Sequence, residues 1–457
     1  MTVYRIAPSD LETYDGAIVR TQRRADGATL VATFVLAQLM IPARLVLRGL
    51  PMSLSVADII ALVLFLLWVL AHFTVSLGAA KGRNEIRTAI YVWGMVMLTC
   101  YGFAALSYLP SDELNLADHS LVLYVGYVGL VLMMVDGVRG RDRLDLVLKA
   151  VVLAGAFASL VASLQYLFDF DLTSYMVLPG LRHTSVEGTE TIMSRAALRR
   201  AAGTLGHPIE LGVVTAMILP LGAHFAFQAR SRGERYLRWW LCTALIAAGL
   251  MFSVSRSAVV ALVVMGVVLF IGWPPRRWVA TLCALVVFLG LVKLMAPGLL
   301  GTFFNLFANA GSDDSIMYRT HDYHFAMLEI DKHPIWGRGI GTWYPYKHQV
   351  FDNQYLLGLL ETGVLGVVAY VALIATGVAV ALRVRWLSRD PNVRNLALTI
   401  AACLLVPLID SATFDLLSYP GVTSLLFLLL GAAGSMLRTA RGELPQEAGL
   451  EIRPGAR

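Results

Sequence analysis

Residues 238–273 read RWWLCTALIAAGLMF, then SVSRS, then AVVALVVMGVVLFIGW. Two apolar runs flank a polar turn, and neither run alternates polar with apolar residues. Lipid admits only helices or closed barrels, because every backbone polar group there must be paired internally. Barrel strands alternate between two faces, so continuous runs point to helices. With almost no loop between them, the two helices reverse direction at a membrane surface.

The same texture covers the rest of the chain. It has 457 residues, 57% of them hydrophobic and 15% charged, with a mean hydropathy of +0.67. Soluble domains are about a quarter charged, so this composition excludes an ordinary globular enzyme, a disordered protein and a secreted disulfide scaffold. The apolar fraction suffices for about twelve helices at roughly 20 residues per crossing. Apolar runs fall at 28–43, 57–77, 88–109, 120–138, 146–168, 209–228, 238–252, 257–273, 278–296, 353–382, 395–414 and 421–437. The first is short and interrupted by Pro42 and Arg44, and no small-residue cleavage site follows it, as a signal peptide would require. Cys100, Cys242, Cys283 and Cys403 lie inside apolar runs at unrelated spacings and read as buried free thiols.

Charge placement orients these runs. With twelve crossings, 25 Lys and Arg residues fall on the side of the termini and 11 on the other, with Lys293 inside a run. By the positive-inside rule, both termini are cytoplasmic. The predicted fold is therefore all-α, a polytopic helical membrane protein of about 12 transmembrane helices with two long extracytoplasmic loops. Its parts are a cytoplasmic segment 1–27, helices 28–168, an outer loop 169–208, helices 209–296 enclosing the Ser-Arg-Ser turn, a large outer loop 297–352, helices 353–437 and a cytoplasmic tail 438–457. Loops of such length are commonly functional, and both carry Arg, His, Asp and Glu. No Walker or nucleotide-binding glycine motif and no internal repeat is present. Any chemistry must run on a substrate that arrives activated, and no nucleic-acid partner is expected.

Three stretches can carry chemistry. Arg199-Arg200 precede Gly203 and His207-Pro208-Ile209-Glu210 at the mouth of a span. Adjacent guanidiniums suit a phosphate or pyrophosphate, or they snorkel to headgroup level. His207 can cap the helix, whereas Glu210 is a charge at membrane depth, where charges tend to be paired and functional. Arg256, between Ser255 and Ser257, breaks the positive-inside pattern and calls for an anionic partner, a substrate phosphate or a carboxylate such as Glu210. The third stretch holds Arg319, His321, His324, His333, the alternate glycines Gly337, Gly339 and Gly341, then His348 and Asp352-Asn353. The glycines permit positive φ and close backbone approach, as a substrate-lining turn would need. Asp352 reads as a helix cap or a general base. His321 and His324 lack a matching third ligand, so no metal is assigned.

Together these motifs resemble the O-antigen ligase and polymerase family of bacterial envelope glycosyltransferases. The similarity rests on Arg200-x-x-Gly203 before His207-Pro208, on Ser255-Arg256-Ser257, and on Arg319 followed by His333-Pro334 and Gly337-x-Gly339. Its last element is Asn353, nine residues, then Gly363-x-x-Gly366, and the resemblance covers roughly 195–370. Where ligases resemble one another in a His before that Asn, this chain has Asp352. Asp serves as the same kind of base, and the departure leans toward a polymerase of exopolysaccharide, capsule or O-unit type, with His348 as a second base candidate.

The resemblance implies an undecaprenyl-pyrophosphate-linked glycan donor and a sugar acceptor on the outer face of the bacterial cytoplasmic membrane. Flippase and chain-length-regulator proteins would be further partners. Asp352, Arg256 and Arg200 would be catalytic, and Arg319, Arg199, His207, Glu210, His348 and Asn353 would contact substrate. The implied reaction is inverting and independent of metal or cofactor. A ligase moving the glycan to a lipid or protein acceptor is the alternative reading, and a non-enzymatic transporter the third.

Overall fold

The structure is a computed structural model that describes residues 11–14, 17–20, 26–73, 83–184, 192–195, 198–308 and 323–442. Its helices are α1 (Gly27–Met40), α2 (Val56–Phe73), α3 (Glu85–Leu106), α4 (Ser111–Gly137) and α5 (Arg141–Phe168). Then come α6 (Pro208–Ser231), α7 (Leu237–Phe252), α8 (Arg256–Gly272), α9 (Pro275–Met295), α10 (Leu299–Ala308) and α11 (323–330). The chain closes with α12 (Gln354–Leu387), α13 (Pro391–Asp410) and α14 (Pro420–Gly442). Among the described residues, nine helices are long and apolar enough to cross a membrane, and α1, α7 and α8 are shorter apolar helices. Each of the twelve coincides with one apolar run of the sequence.

Strands are few and short. β1 (Leu11–Tyr14) pairs with β2 (Ala17–Arg20), β3 (Leu45–Leu47) with β4 (Leu181–His183), and β5 (Ile192–Arg195) with β6 (Leu198–Ala201), all antiparallel. The two long loops thus hold more order than their composition announces. The first carries β4, β5 and β6, and the second carries α10 and α11.

The core lies around α6 and α14, whose apolar windows are 89% and 94% buried, while α9 at 6% stands at the edge of the bundle. Small residues set this order, because they let helix backbones approach closely. A Cβ on Gly434 of α14 would come within 2.7 Å of Val135, and one on Gly212 of α6 within 2.7 Å of Ala258. The thiols follow the packing: Cys100 and Cys403 are buried, but Cys283 is exposed on α9, contrary to the reading that all four are buried.

Loops gather in two sets, alternating along the chain as crossing helices require. At one end Arg383 and Arg441 meet Glu85, Arg87 meets Asp136, and Arg143 meets Asp26. At the other, Arg44 meets Asp171, Lys347 meets Asp112, and the N–H of Gln354 donates to the carbonyls of Ser411 and Phe414.

Helix α12 is broken at Gly363, which has φ 64° and ψ −170°. The cause is the segment 333–341, which enters the break. Arg338 and Gly339 N–H donate to the carbonyls of Leu360 and Glu361 (both 2.8 Å), and Val364 N–H donates to the Pro334 carbonyl (2.9 Å). Backbone groups freed inside a membrane helix must find such partners. Gly337, Gly339 and Gly341 all have positive φ, and a Cβ on Gly337 would lie 2.3 Å from the Glu361 carbonyl carbon. The close approach expected of these glycines is therefore to α12 itself.

Candidate functional site

Strand β6 separates the two arginines that look paired in the sequence. Successive side chains on a strand point to opposite faces. Arg199 is exposed and pairs with Asp169 at 2.8 Å. Arg200 is buried, and its Nε donates to the carbonyl of Ser253 at 3.2 Å. One guanidinium thus faces water, and the other braces the SVSRS turn.

That turn is tight for a physical reason. Val254 has φ 45°, a left-handed conformation that costs a β-branched residue roughly 1–2 kcal/mol. Gly212 of α6 lets the turn in, since a Cβ there would sit 2.7 Å from the Ser253 hydroxyl. Arg256 opens α8 directly after the turn, with Ser255 as N-cap residue. The next residue, Ser257, hydrogen-bonds Thr413 across the α13–α14 connection at 2.9 Å. Strain of this kind tends to persist where the surroundings over-determine a functional conformation.

Tyr419, in the 411–419 connection, is the hub of the group. Its pKa is raised by burial first, then by Asp415, Glu210 and Asp352, with Arg200 acting in opposition. Three of these four residues, Glu210, Asp352 and Arg200, come from distant parts of the chain. The His207 ring lies 5.7 Å from the Tyr419 ring. His207 caps α6, its Nδ1 accepting the Ile209 N–H at 3.1 Å, and burial followed by nearby Arg200 pulls its pKa down to about 4. The neutral ring therefore carries its proton on Nε2, as a donor.

Glu210 is 1% exposed and joins two helix starts: one carboxylate oxygen accepts Gly206 N–H at 2.9 Å, the other Gly421 N–H at 2.6 Å. Its partners are these backbone groups rather than Arg256. Asn353, not Asp352, caps α12, accepting from Tyr355 and Leu356 N–H at 2.9 and 3.2 Å while donating to the Tyr323 hydroxyl. Asp352 is thereby relieved of the capping role and stands exposed beside the hub. His348 is engaged elsewhere. Its Nε2 lies 3.1 Å from Glu113 and 3.2 Å from Arg338, and its ring stacks on Trp343 with centroids 4.4 Å apart. Arg319 and His321 lie outside the described residues.

Two carboxylates escaped the sequence reading. Asp415 has a pKa raised to about 7, by burial first and by Asp352 in addition, against a hydrogen bond from Ser418. Asp410 is fully buried, and among the described residues neither of its carboxylate oxygens has a hydrogen-bond partner. The signal for Asp410 was available, since a carboxylate within an apolar run marks a functional position by default. Among the described residues no three His, Cys, Asp or Glu side chains are grouped to hold a metal ion.

The group around Tyr419 combines the buried Arg200 guanidinium with the carboxylates of Glu210, Asp352 and Asp415. A solved structure described as a peptidoglycan synthase complex coordinating polymerization and crosslinking is similar at 15% identity. That likeness covers 78% of this chain and 97% of that one, with a TM-score of 0.40. No curated protein matches. Residues 241–371 match the family model described as O-antigen ligase. Over those residues, which take in the SVSRS turn, the 297–352 segment and the break in α12, this multi-pass membrane protein is similar to the O-antigen ligase family.

Proposed function

We propose that the chain is an inverting glycosyltransferase that polymerises undecaprenyl-pyrophosphate-linked repeat units on the outer face of the cytoplasmic membrane. The single observation that carries this reading is the gathering of Arg200, His207, Glu210, Asp352 and Asp415 around Tyr419, next to the turn that presents Arg256. The distribution of Lys and Arg along the sequence supports an outer placement of this end of the bundle, where a lipid-linked donor would be delivered.

In the proposed step, Asp352 takes the proton of an acceptor sugar hydroxyl. The oxygen attacks the anomeric carbon of the donor, and the bond from that carbon to the pyrophosphate oxygen breaks. The leaving lipid pyrophosphate keeps the electron pair, and Arg256 and Arg200 stabilise it, with Arg319 in support. Fixed positive charge aimed at developing negative charge supplies several kcal/mol in a site of low dielectric. Direct displacement inverts the anomeric centre. His207 and Asn353 serve as positioning residues in this scheme, whereas Arg199 and His348, engaged by Asp169 and Glu113, stay outside it.

The second reading, a ligase with a lipid or protein acceptor, is favoured by the description of the matched family. Purified full-length protein given lipid-linked repeat units alone separates the two. A ladder of products without added acceptor supports the polymerase. Products that form only with a second acceptor support the ligase, and no product under either condition contradicts both.

A further inference from the structure

At the end of the bundle remote from Tyr419, α3 and α12 diverge into a groove of about 660 Å³. The two ends of α3 are far apart, because its 22 residues span about 33 Å at 1.5 Å per residue. Its far end meets the 333–341 segment, where Phe103 stacks on Trp336, so this groove is no part of the site described above.

Two chemistries line it. At the rim stand Arg83 and Arg441, with Arg383 on the same carboxylate, Glu85, at 2.9 Å. Two guanidiniums, Arg383 and Arg441, thus share one acidic partner, and Arg83 stands beside them as a third cation. Arg441 is used internally, bonding the Arg83 carbonyl and Glu85. The Arg83 side chain is exposed and has no hydrogen bond or ion pair among the described residues. Below the rim the walls turn apolar, with Ala89 and Val92 on α3 facing Ala372 and Leu373 on α12. Cationic rim above, apolar slot beneath: that is the complement of an amphiphile with an anionic head.

We infer that this groove binds an anionic phospholipid, its phosphate at Arg83 and Arg441 and an acyl chain along Val92 and Ala372. Basic pockets between membrane helices commonly hold such headgroups, and 660 Å³ falls within the range of small-molecule sites. A soluble anion would have no use for the apolar slot, and a zwitterionic lipid no use for the excess of guanidinium.

The test is native mass spectrometry of the full-length protein in neutral detergent, titrated with phosphatidylglycerol, phosphatidylcholine or inorganic phosphate. Phosphatidylglycerol should bind at least fivefold more tightly than phosphatidylcholine. Arg83→Ala should cost about fivefold, the expected share of one cation near a headgroup. The Arg83 side chain has no partner among the described residues, so that variant should fold as the wild type does, which its melting temperature checks. Ala372→Trp should fill the slot and abolish retention with every charge in place. Equal binding of the two lipids, or unchanged binding in both variants, overturns the proposal. So does displacement of phosphatidylglycerol by millimolar inorganic phosphate, which would reveal a bare anion site.

Discussion

Asp352 bears on Asp415 at the mouth of the bundle: burial first, and the neighbouring carboxylate after it, hold the Asp415 carboxyl at about 7 instead of its ordinary 3.8. Two carboxyls in one site whose environments differ can divide the work of base and proton store. Asp352 is the exposed member, free of the helix cap that Asn353 supplies. Asp352→Asn should lower polymer yield by about 10²–10⁴-fold at equal expression, the span of a lost general base. Asp352→His should restore a measurable part of it. Near-normal yield from the Asn variant would remove Asp352 from the mechanism.

The raised pKa of Asp415 has a sign in stability. Between pH 4 and 7 the unfolded chain has released this proton while the folded chain keeps it, so stability falls as pH rises through that window. Above about 7 both states are ionised and the trend ends. Asp415→Asn should flatten the slope of melting temperature against pH over this interval. An unchanged slope would show that Asp415 is not the titrating group.

Glu210 predicts a loss of fold before a loss of chemistry. Removing its carboxylate leaves the Gly206 and Gly421 N–H groups without acceptors at two helix starts, at about 1–3 kcal/mol for each buried donor. Glu210→Ala should therefore lower the melting temperature and membrane yield more than the specific activity of the surviving protein. A stable but inactive Glu210→Ala would place the residue on the substrate instead.

The break in α12 should tolerate no side chain. At Gly363 the φ is positive and a Cβ would lie 2.2 Å from the Ile335 carbonyl oxygen, while at Gly337 it would meet the Glu361 carbonyl carbon at 2.3 Å. Ala at either position should undock the 333–341 segment and cost about 3 kcal/mol or more, read as a drop in melting temperature with loss of activity. Wild-type stability in both would mean that the segment does not enter the helix.

How much of this was legible beforehand differs from residue to residue. Apolar continuity located the twelve apolar helices, because burial in lipid is written in composition, although α4 begins nine residues before its apolar run. Arg200 and Arg256 were visible as charges out of place, and the structure brings Arg200 to the turn that precedes Arg256. That Arg199 turns to Asp169 was not visible, since the alternation belongs to a short hairpin inside a stretch that reads as loop. Asp415 and Tyr419 were missed for a related reason. They occupy a short connection between two spans, and their surroundings come from α6, α12 and β6, contacts that no local pattern encodes. The Gly363-x-x-Gly366 spacing was legible as a motif, but its cause, the entry of a distant segment, was not.

The claim on which the rest depends is that guanidinium charge at the SVSRS turn takes up the negative charge of the departing pyrophosphate. Single-turnover transfer from a defined lipid-linked donor by Arg256→Ala, at matched expression and melting temperature, tests it most directly. The account predicts a fall of at least about 100-fold, the scale of one lost oxyanion partner, with donor binding weakened less. Transfer within a few-fold of wild type would contradict it.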